Sequence, residues 1–205
     1  MSIRQKITPA DTRERIVSVA EEHFRRIGYA KTTVADIATA LGMSPANVYR
    51  FFASKGAINN AICMRCLTEV DRLVQDILAQ DLPAPDKLKA ILVGINRYYR
   101  ETLMHEHRLH DMVEVAMAEN WPAIDAHCQT IVGALAQVIA KGIEEGGVRA
   151  VEPLAFARTV LEASAKILHP TLIAQCAAQH DGDAAGTLDD QVERITALIL
   201  AALRP

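Results

Sequence analysis

TTVADIATALGMSPANVYRFFASKGAI, residues 32–58, is the stretch from which the rest of the chain can be read. Thr33 can cap a short helix running to about Leu41, with Asp36 placed to reach back to the cap. Val34, Ile37, Ala38 and Leu41 make that helix's apolar stripe. Gly42 follows where a left-handed residue ends such a helix. Two residues later Ser44-Pro45 opens another helix in the same way, cap then proline, through Ala46, Asn47, Val48, Tyr49, Arg50 and Phe51. Two short helices joined by a Gly-Met-Ser turn form a helix-turn-helix.

Val34, Ile37, Ala38, Leu41, Val48 and Phe52 can hold the pair together, which leaves Ala46, Asn47, Tyr49 and Arg50 on other faces of the second helix. A short helix exposing an amide, a phenol and a guanidinium suits a DNA major groove. Asn can hydrogen-bond adenine through two atoms, Arg can read guanine, and Tyr can bind a phosphate. Thr33, Ser44 and Lys55 stand at the starts of three helices, where free backbone N–H groups favour phosphates.

Upstream, residues 8–28 read as a first helix with a buried face of Ile16, Val19, Ala20, His23, Phe24 and Ile27. Thr8-Pro9-Ala10-Asp11 supplies cap, proline and acid, and Gly28 ends the helix behind Arg25 and Arg26. Downstream, Ser54 can cap a fourth helix from about Lys55 to Gln80, stopped by the two prolines of Asp81-Leu-Pro-Ala-Pro. Further helices are predicted near 86–106, 108–118, 122–145, 153–179 and 187–204. No sustained period-two alternation occurs, so the fold class is all-α: an N-terminal three-helix DNA-binding domain with a helix-turn-helix, then a helical body.

The quoted segment resembles the DNA-binding domain of the tetracycline-repressor (TetR) family. Thr32, Thr33, Ile37, Ala38, Gly42, Ser44, Val48, Tyr49, Phe52, Ser54 and Lys55 fall on that family's pattern, and Ile16, Ala20, Phe24 and Gly28-Tyr29 match its first helix. The match covers residues 12–62 without a gap. Met43 replaces the usual Val or Ile, a tolerated apolar swap. Phe51 stands where a phosphate-contacting His or Tyr is common, so no DNA role is assigned to it. Gly56-Ala57 replaces a common Glu-Glu, removing a capping acid.

The resemblance implies a division at residues 1–55, the DNA-binding domain, and 56–205, an effector-binding and dimerisation domain. It further implies a homodimer on a palindromic operator of double-stranded DNA, and a repressor released by a small-molecule effector. An enzyme would need a nucleophile–base pair or a convergent acid cluster, and none stands out at motif level, so no enzymatic activity is expected. The stripes Phe156, Val160, Ala163 and Ile167, and Val192, Ile195 and Ile199, are the expected dimer interface. Tyr98, Tyr99, Met104, Met112, Trp121 and His169 are candidates for the effector pocket.

Charge agrees with DNA contact at one end. Residues 1–60 carry nine Lys/Arg against five acids, whereas the remainder is acidic enough to bring the chain to −3. Residues 1–7 lack a signal-peptide pattern and no run approaches the ~20 uncharged apolar residues of a membrane span, so the chain reads as soluble and cytoplasmic. Cys63 and Cys66 form a C-x-x-C within an apolar-periodic helix, with no second pair and no nearby His, and read as packing residues. His105, His107 and His110 fall short of the three or four convergent ligands of a structural metal site once Arg108 sits among them. No cofactor or metal is expected.

Overall fold

The computed structural model describes residues 8–103, 115, 118, 121–179 and 188–205. Among these it contains ten helices and no strand: α1 (Pro9–Ile27), α2 (Val34–Ala40), α3 (Pro45–Tyr49), α4 (Lys55–Leu78), α5 (Ala84–Leu103), α6 (Trp121–Glu144), α7 (Pro153–Ala163), α8 (Ala165–Leu168), α9 (Pro170–Gln179) and α10 (Leu188–Ala202). The fold is all-α. The helix expected over 108–118 and the histidines at 105, 107 and 110 lie outside the described residues.

The chain forms two compact units, one built on residues up to Cys66 and the other beginning at Leu67. Helix α4 supplies Ile58 and Ile62 to the first core and Val70, Val74 and Ile77 to the second.

In the first unit, local signals explain each boundary. Thr8 and Asp11 form a reciprocal cap on α1, with Thr8 N–H donating to the carboxylate at 2.9 Å and Asp11 N–H to the hydroxyl at 3.1 Å. Gly28 ends α1 at φ 99°. Ile16, Val17, Ala20 and Phe24 then bury against Val34, Ile37, Ala38, Val48 and Phe52.

In the second unit, α5 and α6 provide the centre, with Leu88, Ile91, Leu92 and Ile95 from one and Leu135 and Ile139 from the other fully buried. The segment Pro122–Glu144 is long and apolar enough to cross a membrane by length and composition, at mean hydropathy 1.2. Here it serves as a core helix, burying Ile131, Val132, Leu135, Val138 and Ile139. The single helix expected over 153–179 is three. Ser164 ends the first of them at φ −88°, ψ 1°, and at Pro170 the missing N–H and the ring clash force His169 into an extended conformation at ψ 120°.

Candidate nucleic-acid interface

Helix α3 has only five residues, and among them Val48 alone is buried. At 3.6 residues per turn, Ala46, Asn47, Tyr49 and Arg50 fall within an arc of about 160° opposite Val48. All four are exposed. Tyr49 leaves 51% of its surface uncovered, high for an aromatic residue beside a core. The geometry therefore gives one anchoring side chain and four presented ones, as the spacing predicted.

Two turns position this helix. Gly42, at φ 67°, closes α2, and Met43 N–H returns to Ala38 O at 2.9 Å. Ser44 Oγ accepts from Asn47 N–H at 3.3 Å, which keeps the hydroxyl hydrogen for another acceptor. At the far end, Arg13 of α1 donates to Phe51 O at 2.9 Å, and its guanidinium lies 4.0 Å over the Phe52 ring. That grip joins residues 38 apart, and nothing in the local sequence signals it.

Thr33 is engaged differently from Ser44. Its hydroxyl accepts from Asp36 N–H at 3.2 Å and donates to the Asp36 carboxylate at 2.7 Å, so both roles are filled within the cap. Those hydrogen bonds, first from the Thr33 hydroxyl and then from its backbone, hold the Asp36 carboxyl below the usual carboxylate range. Asp11 is held down likewise by the backbone and hydroxyl of Thr8.

Lys55 also has internal partners. Its ammonium donates to Tyr29 O at 2.7 Å, Thr32 O at 3.0 Å and Ala30 O at 3.5 Å. It lies 4.3 Å from the centre of the Tyr29 ring. Burial pulls its pKa below the usual lysine value. Ser54 caps α4 as expected, its Oγ accepting from Ala57 N–H at 3.0 Å. Arg65 ties α4 to α1 through Glu14, at 2.7 Å, and Glu21.

In the second unit, Tyr98 and Tyr99 are brought together edge to face, centroids 5.9 Å apart. Tyr99 is buried, and its hydroxyl lies 3.3 Å from His127 Nε2. His127 Nδ1 in turn lies 2.7 Å from the Asp71 carboxylate. This chain of carboxylate, imidazole and phenol joins α4, α6 and α5 across 56 and 28 residues, a separation local pattern cannot reveal. His169 stands apart, at the break between α8 and α9, half-buried and with burial favouring its neutral form. Met104, Met112 and the side chain of Trp121 lie outside the described residues. A cleft of about 770 Å³ opens between α5 and α10, lined by Val93, Asn96, Arg97 and Val192 and bridged by Lys89–Glu193 at 3.1 Å; neither tyrosine lines it.

The expected dimer stripes divide in the same way. Val160, Ile167, Val192 and Ile199 are buried in the chain's own core, Phe156 and Ile195 pack partly against it, and Ala163 is exposed. Apolar surface facing outward comes instead from Leu154 on α7, 45% exposed, and Leu198 on α10, 71% exposed. Cys63, Cys66, Cys128 and Cys176 are all thiols outside any disulfide. Desolvation, then Cys66, pushes the Cys63 thiol up to about 11, so it stays protonated and poorly nucleophilic near neutral pH.

Residues 16–62 match the bacterial regulatory proteins of the tetR family. Residues 84–188 match the tetracyclin repressor-like C-terminal domain. The chain is 29% identical over 139 residues to the transcriptional regulator MftR of Mycobacterium tuberculosis, a match covering 67% of this chain and 65% of that one. It is 28% identical over 150 residues to the HTH-type transcriptional regulator TtgR of Pseudomonas putida, covering 68% and 71%. A TetR/AcrR-family regulator from Thermobifida fusca shares the fold at a TM-score of 0.73 and 24% identity, over 95% of this chain and 100% of that one. SmeT, the repressor of a Stenotrophomonas maltophilia multidrug efflux pump, does so at 0.67 and 20% identity, over 94% and 90%. One family match falls on the helix pair that presents Asn47, Tyr49 and Arg50, and the other alone takes in more than half of the chain: this protein belongs to the tetR family of bacterial transcriptional regulators.

Proposed function

We propose that this regulator binds a palindromic DNA operator as a homodimer, as a repressor released by a small-molecule effector. The observation that carries the reading is the face of α3, where Ala46, Asn47, Tyr49 and Arg50 stand exposed opposite a single anchor. Asn47 and Arg50 read base edges in the major groove, Tyr49 and Ser44 bind phosphates, and Ala46 lets the helix approach closely. Thr33 acts chiefly by capping α2 beside the phosphates. One recognition helix reads too few bases to find a site, so two-fold pairing sets two of them about 34 Å apart on one side of the duplex.

Leu198 and Leu154 are the apolar positions a partner would cover. The working division is a DNA-binding head of residues 1–55 and an effector-binding and dimerisation body of 56–205. In that body the Tyr99–His127–Asp71 chain, with Tyr98 beside it, is the polar group proposed to meet the effector, and Asp71 links it to α4. An effector releases the operator only by binding one head spacing better than the other. The protein acts in the cytoplasm, without an enzymatic step.

Selection of the purified full chain against randomised duplex DNA at physiological salt tests this. A two-fold symmetric consensus is expected. Enrichment without a consensus would mean sequence-independent binding, and no enrichment would overturn the DNA-binding reading.

A further inference from the structure

Lys55 opens α4 at a position where its charge invites assignment to a DNA phosphate. Its surroundings point elsewhere. The three carbonyls it meets, those of Tyr29, Ala30 and Thr32, belong to the loop between α1 and α2. An ammonium has three hydrogens to donate, and here each has a carbonyl in range. The Tyr29 ring closes over the same nitrogen at 4.3 Å, and Tyr29 itself packs edge to face on the buried Phe24 at 5.1 Å. The loop carbonyls lie just beyond the end of α1, where backbone acceptors have no helical donors.

We propose that Lys55 is a positioning residue of the DNA-binding head, closing the α1–α2 loop onto the start of α4, and is not a phosphate ligand. The proposal rests on the DNA-binding reading for its functional consequence. Thr33 follows the clasped loop directly and caps α2, so the clasp fixes where α2 starts and, through the Gly42 turn, where α3 is presented. A lysine suits this place because its point charge and rotatable donors can serve three carbonyls at different angles. The planar fork of arginine cannot.

The test compares wild type, Lys55→Met and Lys55→Arg on one selected duplex across a range of salt concentrations. A phosphate contact contributes about 0.9 to the slope of log affinity against log salt. The clasp predicts that Lys55→Met keeps the wild-type slope while binding every duplex about tenfold more weakly, and that Lys55→Arg does not rescue. A slope shallower by about 0.9 in Lys55→Met, restored by Lys55→Arg, would overturn the proposal. Nitrogen NMR of the lysine side chains in the free wild-type protein needs neither variant to fold nor DNA to bind. The clasp predicts slowly exchanging Lys55 ammonium hydrogens that keep their shift when duplex is added. Fast exchange in the free protein would refute it, and failure of wild type to bind any duplex would instead refute the DNA-binding reading alone.

Discussion

Val48→Ala separates holding the recognition helix from reading with it. Val48 is fully buried and is the only buried residue of α3. Truncation removes two methyl groups, worth about 1.6 kcal/mol at roughly 0.8 each. Incomplete collapse around the hole adds about 0.5 kcal/mol or more, and the better helix propensity of Ala returns about 0.5. The net cost is about 1.5–2 kcal/mol, or roughly 10–30-fold in the local opening equilibrium. Amide hydrogen exchange reads this directly, because Phe51 and Phe52 N–H both donate to Val48 O, at 2.9 and 3.1 Å. Those amides should exchange roughly 10–30-fold faster in Val48→Ala. Operator affinity should fall by less than about twofold at 25 °C, because apparent affinity scales with the competent fraction, which stays near one. Exchange within twofold of wild type would show that Val48 is not the anchor. A changed base preference in this variant would refute the division of labour on α3.

Two other predictions concern the cap and the dimer face. The Asp36 carboxyl is held down in the folded state, so its contribution is full above the ordinary value of 3.8 and is lost as pH falls below that through its depressed folded value. Protection of the α2 amides should therefore decline over that window in wild type and be flatter in Asp36→Asn; parallel profiles would remove the charge from the cap. Leu198→Glu places a charge on the most exposed large apolar side chain of α10. It should raise the dimer dissociation constant at least tenfold in sedimentation, with unchanged helicity, and an unaltered dimer would place the interface elsewhere.

The head was legible in sequence because its signals are local. Thr8 with Asp11, Thr33 with Asp36, Ser44-Pro45 and Gly42 each act within a few residues, and each stands in the structure as its spacing implied. Periodicity does not choose a partner. The stripe through Val160, Ile167, Val192 and Ile199 correctly marks a buried face, but spacing alone does not distinguish the chain's own core from a second copy. It also carried one helix through Pro170, although the missing N–H was visible there. The contacts of Arg13, Lys55 and His127 join residues 23 to 56 apart. Only the closed fold brings these together, so a count of charges by position could not show that Arg13 and Lys55 also hold backbone carbonyls within the protein.

The central claim is that α3 reads bases through Asn47. Its most direct test is the base-preference profile of Asn47→Ala beside wild type, measured on single-position variants of the selected operator at fixed salt. Loss of discrimination of about 1–3 kcal/mol at one base pair in each half-site, with the other positions unchanged, is the predicted result. An equal loss of affinity on every sequence, with the profile intact, would contradict it.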